Sequence, residues 1–155
     1  MVLPHPSVTG PPAQIAPPAE LLARPASLDT ARLLGAENLW PAVRVPGGSE
    51  PSRWQVAPGL TWSVGSGAGS HGGGTVVVRA ASMVVRPAGA EVPPGANAID
   101  GVVASVVPTP WGERVRIEGP VAVEAHRRGG DAVVAVGDRV RATVPVADCH
   151  LVREQ

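Results

Sequence analysis

GERVRIEG, residues 112–119, is the stretch on which the fold turns. In an extended chain Val115 and Ile117 fall on one side while Arg114, Arg116 and Glu118 fall on the other. That is the period-2 pattern of a strand with one face in a core and the other in water. RVRATV, residues 139–144, repeats it, with Val140, Ala142 and Val144 opposing Arg139, Arg141 and Thr143. Gly137-Asp138 ahead of it supplies turn residues, so AVVAV (132–136) and RVRATV read as a hairpin. Working outward, LWPAVRV, WQVAP, LTWSV, TVVVRA, SMVVRP, IDGVVASVV and VAVEAH are further short valine-rich runs bounded by Gly and Pro. Many short strands with one buried face predict a mainly β chain, a small antiparallel barrel or sandwich. TVVVRAASMVVRP and DRVRATVPVADCHLV also share a faint likeness, each a strand, a brief break and another strand.

Composition limits both core and chemistry. The 155 residues suit one domain, and with no Phe, no Tyr and four Trp the core must be built from Val, Leu, Ile and Ala. The formal net charge is zero, which gives no general attraction to nucleic acid or anionic lipid. All 13 basic side chains are arginine. Without lysine there is no Walker A phosphate loop and no Schiff-base chemistry. The single cysteine, Cys149, excludes an internal disulfide framework and a multi-cysteine zinc site. Neither a membrane-spanning run nor a signal peptide is legible, so a soluble cytoplasmic chain is expected.

The beginning of the chain reads differently. Residues 1–16 carry four prolines and little periodicity, a flexible leader. In PPAELLARPASLDTARLLGAENLWP, residues 17–41, Pro17 and Pro18 suit a helix start and Pro25 stops that helix early. Ser27 can cap a second helix with Asp29 in its first turn, Leu28, Ala31 and Leu34 on one face, and Gly35 at its end. Both are too short to be stable alone. Pro25, Pro41 and Pro46 stiffen the connections, so the expectation is that the leucines of this helical pair, residues 17–36, stay exposed beside a β domain spanning 37–155. GSGAGSHGGG (65–74) reads as a flexible loop.

In their order these segments resemble the C-terminal part of importer-type ABC transporter ATPases. QIAPPAELLARPASLDTARLLGAENLWP (14–41) is similar to the end of the nucleotide-binding domain, MVVRP (83–87) to an I-R-P-E strand, and NAIDGVVASVV to an N-x-L-x-G-x-V strand. GERVRIEG and VGDRVRATVPVADCHLV are similar to the strands that close the accessory TOBE domain, a molybdate-binding-like β domain of OB type. The resemblance implies an OB-like barrel or sandwich preceded by a helical remnant of the ATPase edge. It also implies no ATP hydrolysis, since the Walker A, signature, Walker B and switch-histidine motifs are not in this chain.

The function implied is that of a non-catalytic accessory domain, contacting an ABC ATPase subunit or a second copy of itself in a homodimer and reaching the membrane only through a transporter. The alternative is a free-standing binder of a small oxyanion such as molybdate, tungstate or sulfate. Molybdate-binding members place a Ser-Ala-Arg-Asn run before the N-x-L-x-G strand and a lysine in the last segment. This chain has Gly95-Ala96-Asn97 in the first place and Pro145 or its neighbour in the second. The candidate anion-binding residues are Asn97, with the adjacent charges Arg127 and Arg128. An OB-type nucleic-acid binder would need a basic stripe and stacking aromatics. Cys149 and His150, on opposite faces of a strand, read as a buried thiol and an exposed imidazole with no shared metal, and no cofactor is expected.

Overall fold

A computed structural model describes residues 15–47, 51–65, 72–129 and 131–153. Helices α1 (Pro18–Ala23) and α2 (Leu28–Leu33) precede ten strands. These are β1 (Asn38–Arg44), β2 (Ser52–Ala57), β3 (Leu60–Val64), β4 (Gly73–Val78), β5 (Val84–Pro87), β6 (Ala96–Thr109), β7 (Gly112–Glu118), β8 (Ala122–Arg127), β9 (Arg139–Pro145) and β10 (His150–Arg153). They form two five-stranded sheets in the orders β10-β4-β1-β2-β3 and β5-β9-β6-β7-β8.

The two orders are one scheme used twice. Within each half the strands run 4-1-2-3, the Greek-key arrangement, and each half's last strand crosses to the edge of the other half's sheet. The crossings are short 3-10 turns, Ala80–Ser82 between β4 and β5 and Val146–Asp148 between β9 and β10. The register repeats as well. Asn38 pairs with Val78 as Asn97 pairs with Val144, Arg53 with Ser63 as Arg116 with Glu124, and His150 with Val77 as Val84 with Thr143. The likeness between TVVVRAASMVVRP and DRVRATVPVADCHLV therefore marks one unit of a whole-chain duplication.

One core joins both sheets. Val115 and Ile117 from β7, and Val140, Ala142 and Val144 from β9, are buried as their alternation predicts. Thr143, on the other face, is also buried, because Arg86 of β5 lies over it with Nε 3.0 Å from its hydroxyl oxygen. Trp40 and Trp62 meet edge to face at 5.0 Å between ring centroids, a geometry worth about 0.5–1.5 kcal/mol beyond area burial. Their indole N–H groups donate to the carbonyls of Ala122 and Ala98, so each ties one half to the other. Trp111, at the β6–β7 turn, is 79% exposed.

AVVAV is not a strand. Gly137 does make the turn, at φ 93° with Asp138 N bonded to Ala135 O. But β9 already has β5 on one side and β6 on the other, which leaves no edge for residues 132–136 to pair with. Val134 packs on the core instead, while Val133 and Val136 face solvent. Strand β6 is longer than expected and has a bulge between Val103 and Ser105, pairing β9 along residues 96–102 and β7 along residues 102–109.

The helices form where expected. Ser27 caps α2, its Oγ accepting from Thr30 N at 3.1 Å, and Gly35 follows it at φ 75°. Their packing corrects the expectation of exposure. Ala31 of α2 is buried against Val77 and Val152 on the outer face of the first sheet, with Leu28, Ala36 and Leu39 around it. Apolar residues on that outer face demand a cover, and α2 is the segment that supplies it. His150, expected to be exposed, is half-buried beneath the α1–α2 connection, with Nε2 donating to the Pro25 carbonyl at 2.9 Å. Leu33 and Leu22 do face solvent. The outer face of the second sheet is polar instead, laced by Arg116–Glu118, Arg116–Glu124 and Arg141–Asp100 pairs. Residues 1–14 of the expected leader lie outside the described residues, as do residues 66–71 of the expected loop; Gly73 and Gly74 belong to β4.

Candidate functional site

The structure does not gather Asn97, Arg127 and Arg128. Asn97 is buried in β6 with its amide fully engaged: Oδ1 accepts from Ser63 N at 3.0 Å, and Nδ2 donates to Ser63 O at 2.7 Å and to Cys149 Sγ at 3.3 Å. It is a cross-brace between halves. Arg127 closes β8 and makes a bidentate pair with Glu113, Nε to Oε2 at 3.3 Å and Nη2 to Oε1 at 3.0 Å, while Nη1 donates to Asp131 O. Glu113, paired with Pro108 of β6, sets Arg127 at the end of β6 opposite Asn97. Glu113 is correspondingly held below the usual carboxylate range by its hydrogen bonds to Arg127. Arg128 is exposed in the following loop.

A different set of groups converges where the first crossing meets the second half. The 3-10 turn at Ala80–Ser82 lies against β8, and beside it opens a cleft of about 460 Å³. Glu37, Arg79, Ala80 and Ala81 line one side; Thr109, Trp111, Arg114 and His126 line the other. The elements explain the placement. Arg79 sits at the sheet-switching end of β4, half-buried, with Nη1 3.4 Å from Leu34 O. Arg114 and His126 are register partners on β7 and β8, and the His126 ring nitrogen lies 3.1 Å from Thr109 Oγ1. Glu37 precedes Asn38 and takes the Ala80 amide on its Oε2 at 3.0 Å.

Two guanidinium groups and an imidazole line this cleft with a single carboxylate. Arginine supplies planar, always-charged donors suited to oxygens. No cluster of three metal-ligating side chains occurs among the described residues.

Among the described residues, the corresponding place in the other half does not repeat these side chains. Matching the registers puts Pro145 where Arg79 stands and Gly65 where His126 stands. Gly65 packs so tightly on the second 3-10 turn that a Cβ there would come within 2.6 Å of Val146 O, and its amide donates to Cys149 O. Two smaller grooves beside β9, of about 330 and 230 Å³, are lined mainly by Ala, Gly and Val. The carboxylate in the larger, Asp100, is committed to Arg141 at 2.7 Å, and that hydrogen bond lowers its pKa.

Cys149 is fully buried, its Sγ accepting from Asn97, and burial pushes the thiol up to about 11. It is therefore protonated and inert at neutral pH. His150 is shifted downward by burial, against the pull of its bond to Pro25.

Sequence reasoning had missed Arg79, Arg114 and His126. One signal for Arg79 was in view, a lone charge at the break between two strands. Arg114 and His126 come together only through strand register.

No protein-family model matches the chain, and no curated protein matches it. Among solved structures the fold is similar to that of the cytoplasmic molybdate-binding protein ModG, in a form with molybdate bound: TM-score 0.60 and 12% identity over 77% of this chain and 98% of that one. No described helix is long and apolar enough to cross a membrane. At that identity the likeness is one of fold: a mainly β, OB-like architecture shared with ModG.

Proposed function

We propose that this chain is a cytoplasmic, non-enzymatic binder of a small tetrahedral oxyanion, held in the cleft between the first 3-10 turn and β8. The observation that carries the reading is the convergence of Arg79, Arg114 and His126 on one cleft. The fold shared with molybdate-bound ModG supports the ligand class. Binding would come from charge-assisted hydrogen bonds of the two arginines, roughly twice as strong as neutral ones. Trp111 at the rim is the exposed indole of the described residues, so anion entry should perturb its fluorescence. Titration with molybdate, sulfate and inorganic phosphate should give a saturable change in the wild type. Arg79→Gln and Arg114→Gln should each weaken it at least about tenfold, the loss of one hydrogen bond to a charged group. An unchanged response in both variants would place the site elsewhere.

The accessory-domain reading keeps one support, the solvent-facing side chains of Ile15, Leu22 and Leu33 on and beside the helices. A partner ATPase would cover such a surface. Against it, α2 already buries its apolar face on this chain's own sheet. Leu33→Glu separates the two readings: it should abolish binding to an importer ATPase if that partner exists and leave anion binding intact.

A further inference from the structure

We infer that Glu37 makes the cleft selective for an oxyanion that carries a proton, of the monohydrogen phosphate class, over the fully ionised sulfate and molybdate. This rests on the oxyanion reading of the cleft and names the ligand within it.

Glu37 is the single carboxylate among the cleft's lining residues, and it is held in place from both ends. Its Oε2 takes the Ala80 amide at 3.0 Å, and its backbone runs directly into Asn38, whose side chain is locked onto the Glu124 backbone by two bonds of 2.8 Å. Its other oxygen, Oε1, has no hydrogen-bond partner among the described residues. The charge is not required by the fold. In the other half the corresponding amide, Val146 N, is taken by a neutral backbone carbonyl, that of Gly95, at 2.9 Å, and the residue before Asn97 is Ala96. A negative group therefore stands in an otherwise basic opening where a neutral acceptor serves the equivalent turn.

An incoming anion must face that carboxylate while it bonds to the arginines. Sulfate and molybdate offer only acceptor oxygens, and acceptor against acceptor is repulsive. Monohydrogen phosphate has the same double charge and the same tetrahedral shape but one O–H, which Oε1 can accept. The discrimination thus depends on a single proton at equal charge, the kind of polar match that separates ligands far more sharply than size does.

The test is calorimetric titration of the full chain and of Glu37→Gln with inorganic phosphate, sulfate and molybdate at mildly alkaline pH, where phosphate keeps one proton and the other two have none. Glutamine retains an acceptor for Ala80 N and removes the charge. The wild type should favour phosphate by roughly 10- to 100-fold, short of the factor reached in closed sites because this cleft is open to water. Glu37→Gln should bind sulfate and molybdate more tightly and reduce the preference at least about tenfold. Arg79→Gln, as a control, should weaken all three anions together and leave the wild-type ratio. A wild type that holds sulfate or molybdate as tightly as phosphate, or a ratio unmoved in Glu37→Gln, overturns the role of Glu37 while the anion site stands. Absence of binding by any anion to either protein removes the site itself, and this inference with it.

Discussion

Asn38 and Asn97 occupy the same place in the two halves and perform the same exchange. Asn38 bonds both backbone groups of Glu124 on β8, and Asn97 bonds both backbone groups of Ser63 on β3, so each half pins the third strand of the other. Each asparagine acts as one more rung of a strand ladder, its own side chain buried and its partner residue half-buried. Asn38→Ala or Asn97→Ala would leave an amide and a carbonyl unpaired, a cost of about 2–4 kcal/mol. Urea denaturation measures it. Asn38→Asp should be worse than Asn38→Ala, because it turns an anion toward the Glu124 carbonyl, and the reverse order would contradict the assigned geometry.

The face assignment of the strands makes a second prediction. Val115→Asp and Val140→Asp bury an unpaired charge in the shared core and should cost several kcal/mol, enough to unfold a domain of ordinary stability. Arg116→Ser, on the outer face, removes exposed ion pairs and should cost under about 1 kcal/mol. Melting curves of the three variants report the difference directly.

Removal of residues 1–36 should destabilise the β body and promote self-association, since it uncovers Val77 and Val152 on the outer face of the first sheet. Ala31→Glu should reproduce part of the loss with the chain at full length. An unchanged melting temperature after both would mean that α2 is a passive appendage.

Stability should also fall in alkali. The Cys149 thiol is raised by burial from 9.0 to about 11, so the folded state holds its proton more firmly than the unfolded chain does. That contribution is complete below about pH 9 and is lost as the pH climbs through about 11. His150 works at the other end: its pKa is depressed, so its contribution is present above the ordinary histidine value and is lost as the pH falls through the lowered one. Cys149→Ala should flatten the alkaline limb alone, and a thiol reagent should react with the native wild type only on unfolding.

How much of this was legible beforehand follows from what each residue encodes. Val115, Ile117, Val140 and Val144 were readable as core because alternation is a local property of the chain. The duplication was largely hidden, since matched positions hold Trp40 and Ile99, Trp62 and Val123, Met83 and Cys149. Cores conserve pattern and total volume rather than identity, so two halves can diverge while register persists. AVVAV has the composition of a strand, but whether a run pairs depends on a free edge, which no local pattern states. Adjacent arginines drew attention to Arg127 and Arg128, yet Arg127 is neutralised by Glu113 across a strand pair. The cleft's donors, Arg79, Arg114 and His126, are brought together by the sheet crossing and by strand register and have no signature in sequence spacing.

The proposed anion cleft has Pro145 and Gly65 in place of Arg79 and His126 in the other half of the duplicated fold, and the stoichiometry of bound oxyanion at saturation, measured by equilibrium dialysis, tests whether it is a single site. One anion per chain is expected, lost when Arg79 and Arg114 are both replaced by glutamine. Two anions per chain, or one that survives the double replacement, would contradict it.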